Sequence, residues 1–189
     1  MKKVRADISN DFCPQTLFLY GTYKEDGTPN FGLFCWFSYL CDNGLGVMAC
    51  IGGDKLTKDR IRETKVFSAN LVTEGLLPLA DYYGSTDGYQ AEKMNVMPEI
   101  ISGEVLDVPI IQDSPWSFEL EVRQEINTND GTVFLCTIKN VLAFDFLVSG
   151  TESIEERLRR IAPVSTTCST YFSYDGKAIG GWGELKKRL

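Results

Sequence analysis

The sequence predicts a mainly β protein with a few inserted helices, closed or partly closed into a barrel. Short apolar runs alternate with turn signals at Asp26-Gly27, Asp42–Gly44 and Asn127–Gly131. Only three short stretches read as helix. The run "NFGLFCWFSYLC", Asn30–Cys41, holds nine apolar or aromatic residues in twelve with almost no alternation, so it reads as a strand covered on both faces.

Taken in order, "TLFLYGTY" (16–23), the polar "KEDGTPN" and the Asn30–Cys41 run read as a hairpin. After Asp42–Gly44, "LGVMACIG" (45–52) is a third buried strand. In "GGDKLTKDRIRETK", Thr57 suits an N-cap, with Leu56 and Ile61 at staple positions, and the helix ends near Lys65. "VFSANLV" (66–72) is a strand, and "EGLLPLADYYGS" is a helix with Pro78 in its first turn, stopping at Gly84. Residues 85–98 are loop-like with a short helical turn. Strands follow around 117–126 and 132–146, joined by "NTNDG". "ESIEERLRRI" (152–161) is a short charged helix, and the tail is aromatic, glycine-bearing and basic at its end.

The 189 residues form one expected domain, 1–189, with an N-terminal arm at 1–12. A net charge of −7 argues against a nucleic-acid surface, which needs basic residues against phosphates. No apolar stretch is long enough to span a bilayer, and "MKKVRADISNDF" lacks the apolar core of a secretory signal, so a cytoplasmic location is expected. The six cysteines show no C-x-x-C pair and read as buried free thiols, with no metal site. There is no histidine, which excludes Ser-His-Asp and Cys-His nucleophile systems as usually built. Chemistry near neutral pH would then come from a bound cofactor.

Residues 55–65 carry five basic and two acidic side chains, a local positive excess in an acidic chain. Most of it lies at a predicted helix N-terminus, which favours an anion, and Gly52-Gly53 would let the backbone approach closely. The Thr57 hydroxyl either caps the helix or donates to a phosphate oxygen. The alternative is a solvated helix face with a few ion pairs. An apolar aromatic wall followed by an anion cradle matches the division of flavin mononucleotide (FMN) into planar ring and phosphate.

From about Pro14 to the C-terminus the chain resembles the flavin-reductase-like family with the FMN-binding split-barrel fold, most closely its flavoredoxin-type members. The resemblance rests on the order and spacing of "GTYKEDGTPNFGLFCWFS", "KLTKDRIRETKVFSANL", "ADYYGSTDGYQAEKM", "FELEV" and the tail around Tyr171-Phe172. It implies a split β-barrel and a homodimer with FMN near the subunit interface, where the 165–189 tail would also lie. Carried over by position, Asn30 would hydrogen-bond the flavin and Trp36 would pack near the ring or phosphate end. Lys55 and Thr57 would bind phosphate. Lys93 would approach across the Gly84-Ser85 loop, and Tyr171 or Phe172 would flank the ring. Phe34 and Cys35 complete the expected cofactor-binding set. Plain core packing is the other reading of Trp36 and Phe172.

Two departures stand out. Relatives carry a Gly-Asp-His segment near residue 130, where this chain has "NDGTV". Asp87-Gly88 replaces an expected Ser-Gly, and Glu92 replaces an Asp, placing acids near the phosphate. Direct NAD(P)H oxidation is therefore less secure than FMN binding, and no residue is assigned as catalytic acid or base. The expected function is electron transfer through FMN, with NAD(P)H or a redox partner protein as donor. The alternatives are an electron relay without its own NAD(P)H site and a dimeric barrel scaffold that has lost its cofactor.

Overall fold

The computed structural model describes residues 1–41 and 43–178. The predicted first hairpin is β2 (Phe18–Tyr23) and β3 (Pro29–Phe34), paired antiparallel. Its turn is fixed by Gly27 at φ 80° and by the Asp26 carboxylate, which accepts the Thr28 N–H at 2.9 Å. A short β1 (Gln15–Thr16) precedes it.

The Asn30–Cys41 run is not one strand. It breaks at Cys35-Trp36, where the Phe37 N–H closes a tight turn onto the Cys35 carbonyl at 3.0 Å, and resumes as β4 (Phe37–Cys41). β5 (Leu45–Gly52), β6 (Val66–Leu71), β9 (Trp116–Asn127) and β10 (Gly131–Ala143) lie close to their expected places, with the predicted turn at 128–130. Together they form one antiparallel sheet of order β3-β2-β6-β9-β10-β5-β4. Its two edge strands, β3 and β4, are joined by two residues only, so the sheet must curl until its edges meet.

Curling buries β2 on both faces. Phe18 and Tyr20 point into the barrel, where Phe18 stacks on Phe37 at 4.3 Å and Tyr20 on Phe34 at 4.7 Å. Phe67, Phe118 and Phe134 complete this core. Leu19 and Phe31 belong to a second cluster under α2 (Leu77–Ser85), where Phe31 stacks on Tyr83 at 6.0 Å. The second face of the run's first half is therefore covered by a helix of the same chain. Its second half is only partly covered: Trp36 and Tyr39 are half-exposed.

α1 spans Leu56–Thr64 and α4 Ile154–Ile161, the latter with a Ser153/Glu156 capping box. The expected strand end at 144–146 instead enters a single helical turn, α3 (Asp145–Val148). Residues Ala91–Asn95 form the expected short turn, as 3-10 helix. Four strands were not legible: β7 (Ile100–Ser102) with β8 (Pro109–Ile111), and β11 (Val164–Thr167) with β12 (Thr170–Ser173). β11–β12 turns through Cys168 and Ser169, both at positive φ, where Asn-Gly is the usual signal. The expected arm at 1–12 is exposed and has no regular structure, and the tail beyond Ala178 lies outside the described residues.

Only Cys136 fits the expectation of buried thiols. Cys35 and Cys50 are half-buried and Cys13, Cys41 and Cys168 exposed, because the last three sit just past the arm, at a strand end and in a turn. Among the described residues no helix is long and apolar enough to cross a membrane, and no side-chain cluster suits a metal.

Candidate functional site

Thr57 is not the helix cap. Lys55 holds that position, without a side-chain cap, and Thr57 lies in the first turn, 3% exposed. Its Oγ1 accepts a hydrogen bond from Asn30 Nδ2 at 3.0 Å, and Asn30 is itself fully buried. With Oγ1 accepting, the Thr57 hydroxyl hydrogen remains to donate.

The basic stretch is mostly spent on structure, and it is not a simple solvated face, since Lys58 and Arg60 are buried. Lys58 donates to the Gly53 carbonyl, so Gly53 serves that contact rather than the cavity described below. Arg60 pairs with Glu63 and also binds the Tyr23 carbonyl. Arg62 forks onto Glu125, Asn127 and Thr132, tying α1 to the β9–β10 hairpin. Lys65 reaches Glu125 at 3.6 Å. Lys55 alone of the five lines the cavity at the start of α1.

That cavity, about 50 Å³, is also lined by Gly32, Phe34, Thr57, Gly84 and Lys93. Lys93 comes from the 3-10 turn and is 3% exposed. Its ammonium lies 5.8 Å from the Tyr83 ring centroid and has no hydrogen-bond acceptor or carboxylate partner among the described residues. Burial, then the charge of Lys55, pulls its pKa down to about 8, with Asp87 opposing. The 86–96 segment that carries it is pinned from below, by Tyr83 to the Val96 carbonyl at 2.5 Å and by Tyr89 to Asp59. Neither Asp87 nor Glu92 lines the cavity.

Glycine makes the space. A Cβ on Gly32 would stand 2.8 Å from Thr57 Oγ1, and one on Gly88 2.9 Å from the Leu56 Cβ. Asn30 does not line the cavity. It stands behind the wall, its Oδ1 buried without a partner and its amide holding Thr57.

A second, open groove of about 340 Å³ shares Leu33, Phe34 and Gly84 with the cavity and continues past Cys35, Asp81, Ser85, Thr166 and Tyr171. Tyr171 donates to Asp81 Oδ1 at 2.7 Å; burial and that carboxylate push its pKa up to about 12. Burial raises the Cys35 thiol. Phe34, Cys35, Lys55, Thr57, Gly84, Ser85, Lys93 and Tyr171 thus converge on two adjoining hollows. Trp36 and Phe172 line neither. Trp36 is 50% exposed and lies against Gly52, while Phe172 is exposed on β12.

Sequence reasoning missed Gly32, Gly88, Asp81 and Thr166. Asp81 had a signal: it precedes Ser85 by four residues on one helix, which puts both on the same face. Thr166 had none, since it arrives by the unforeseen pairing of β1 with β11.

The overall fold is shared with flavoredoxin from Methanosarcina acetivorans, at a TM-score of 0.86 and 21% identity over 100% of both chains. Flavoredoxin of Desulfovibrio vulgaris (Miyazaki F) superposes with a TM-score of 0.84 and 22% identity, covering 98% of this chain and 100% of that one. An FMN-binding protein from Thermus thermophilus, with bound p-hydroxybenzaldehyde, gives 0.77 and 18% identity over 96% and 100%. In sequence, an uncharacterized protein of Aeropyrum pernix is 29% identical over 176 residues, which is 87% of this chain and 67% of that one. Residues 10–148 match the family of the flavin reductase like domain, and the chain belongs to that family.

Proposed function

We propose that the chain binds FMN and passes electrons through it, as one domain with the flavin held between α1, α2 and the β11–β12 hairpin. The observation that carries this reading is the Lys93 side chain, 3% exposed, which lines the cavity. It has no acceptor among the described residues and converges with Lys55, the Thr57 hydroxyl and the start of α1 on one cavity. That donor set fits a terminal phosphate monoester. Leu33, Phe34 and Gly84, shared by both hollows, offer an apolar wall for a planar ring beside it. Tyr171 would flank the ring, and Asn30 would act by orienting Thr57. Bound FMN would supply the electron transfer; the protein's part is to hold the phosphate and shield the ring from water. The Thermus thermophilus neighbour, by name an FMN-binding protein, supports the choice of flavin.

The test is the affinity for FMN, riboflavin and FAD. FMN is expected to bind tightest, and equal affinity for riboflavin would sink the phosphate cavity.

A second reading, an electron relay without its own NAD(P)H site, is favoured by the absence of histidine and by the 128–130 hairpin. Its neighbouring Asn127 and Thr132 are engaged by Arg62. We also propose a homodimer. Trp36 and Met48 are exposed apolar side chains at the β4–β5 edge that a second copy would cover. Sedimentation equilibrium should find a dimer at low concentration, and a stable FMN-loaded monomer would contradict it. Six cysteines, all free, support a reducing cytoplasmic location.

A further inference from the structure

The groove beyond Phe34 differs in chemistry from the cavity it adjoins. The cavity is lined by two lysines, whereas among the described residues no cationic side chain lines the groove. The charged side chain that the described residues place there is Asp81, exposed at the wall.

The hydroxyls around Asp81 sharpen this contrast. Tyr171 donates its hydrogen to Asp81 Oδ1 at 2.7 Å. Ser85 Oγ donates to the Asp81 carbonyl at 2.8 Å, sharing the Tyr82 carbonyl at 3.2 Å. Thr166 Oγ1 donates to the Thr170 carbonyl at 3.1 Å. A hydroxyl has one hydrogen and two lone pairs. With every lining hydroxyl hydrogen committed inside the protein, these groups can offer a ligand only lone pairs, and the second Asp81 oxygen adds a negative charge. The Cys35 thiol is at most a weak donor.

We propose that the part of this groove left open at Asp81 beside the flavin ring is the substrate subsite, and that it selects ligands that donate hydrogen bonds and carry no negative charge. Planar amides and amidinium- or ammonium-bearing rings fit; carboxylates and other anions are rejected. An anion would meet the Asp81 charge with no free hydroxyl donor to compensate it, and like-charge contacts of this kind set specificity. The assignment of the groove to substrate rests on the FMN reading; its donor–acceptor character does not.

Three rings of nearly one shape provide the test: benzamidine, benzamide and benzoate. Their dissociation constants should be measured by ligand-observed NMR on the flavin-free chain and again with saturating FMN. Benzamidine should bind tightest and benzoate at least tenfold more weakly, in both forms. Asp81→Asn should bring benzamidine to within about threefold of benzamide. Tyr171→Phe frees an Asp81 oxygen and should leave the order intact. Benzoate binding as tightly as benzamidine, or an order unmoved by Asp81→Asn, would overturn the proposal. If FMN abolishes probe binding, the groove is the flavin's own seat and the substrate assignment falls. If FMN fails to bind while the order persists, the FMN reading and the substrate assignment fall together, and only the groove's donor–acceptor selectivity stands.

Discussion

Thr57 Oγ1 accepts the Asn30 amide at 3.0 Å, and that bond links a fully buried residue of β3 to the first turn of α1. It turns the Thr57 hydroxyl into a donor aimed away from Asn30. Thr57→Ala should therefore weaken FMN by about 1.5–3 kcal/mol, the range for a hydrogen bond to a charged group, and leave riboflavin nearly unchanged. Paired titrations of the two flavins check this. Because Thr57 is not the cap, loss of a cap does not complicate the result; a parallel fall in riboflavin would remove Thr57 from the phosphate site.

Lys93 should make FMN affinity depend on pH. Its pKa in the folded chain is near 8, below the ordinary lysine value, so its charge is held at a cost. The free protein therefore gains stability as pH rises from about 8 to about 10.4, where only the unfolded chain keeps the proton. Phosphate binding needs the proton, so FMN affinity should be level between about pH 7, above the phosphate's own titration, and pH 8, and fall above it, by up to about tenfold per unit. Lys93→Met should remove the slope, weaken FMN and raise the melting temperature of the flavin-free chain at pH 7. A slope that persists in this variant would assign the titration elsewhere.

Glu119 should make the fold sensitive to acid. It is fully buried and accepts the N–H groups of Glu104, Val105 and Leu106 at 2.6–2.9 Å, and Asn140 Nδ2 at 2.8 Å. Burial works to raise its pKa, but these donors together outweigh it and hold the carboxyl below the usual range. A lowered folded pKa means stability that is present above the unfolded value, about 4.3, and is lost as pH falls through the folded one. Glu119→Gln should cost about 1–3 kcal/mol at pH 7 by replacing acceptors with a misplaced donor. It should also flatten the acid limb of the stability curve. Urea titrations between pH 3 and 7 read both effects.

Reduction by NADH or NADPH should be slow or absent, while dithionite still reduces bound FMN. Hydride transfer needs the nicotinamide held against the flavin in near-attack geometry. The chain has no histidine for that task. Anaerobic stopped-flow mixing with each dinucleotide is the measurement. Rapid, saturable bleaching by either would favour a flavin reductase over an electron relay.

Much of this protein follows from local sequence. Asp26-Gly27 and Asn129–Gly131 carry their own turn chemistry, so both hairpins are legible without tertiary information. The same holds for α4, whose Ser153 and Glu156 cap each other three residues apart. Lys55 and Thr57 could be placed at a helix start because that geometry is also local. Tertiary structure decided the rest. Whether Asn30–Cys41 is one strand or two depends on sheet closure, which makes β3 and β4 opposite edges and bends the chain at Cys35-Trp36. Charge composition could not say that Lys58, Arg60 and Arg62 would be occupied, because their partners Gly53, Tyr23 and Glu125 belong to other elements. Nor could it say that Lys93 would be left without an acceptor among the described residues. The β11–β12 hairpin escaped notice because Cys168 and Ser169 take positive φ without the glycine or asparagine that normally marks it. Tertiary contacts hold that turn, and only through it does Tyr171 reach Asp81 across 90 residues of sequence.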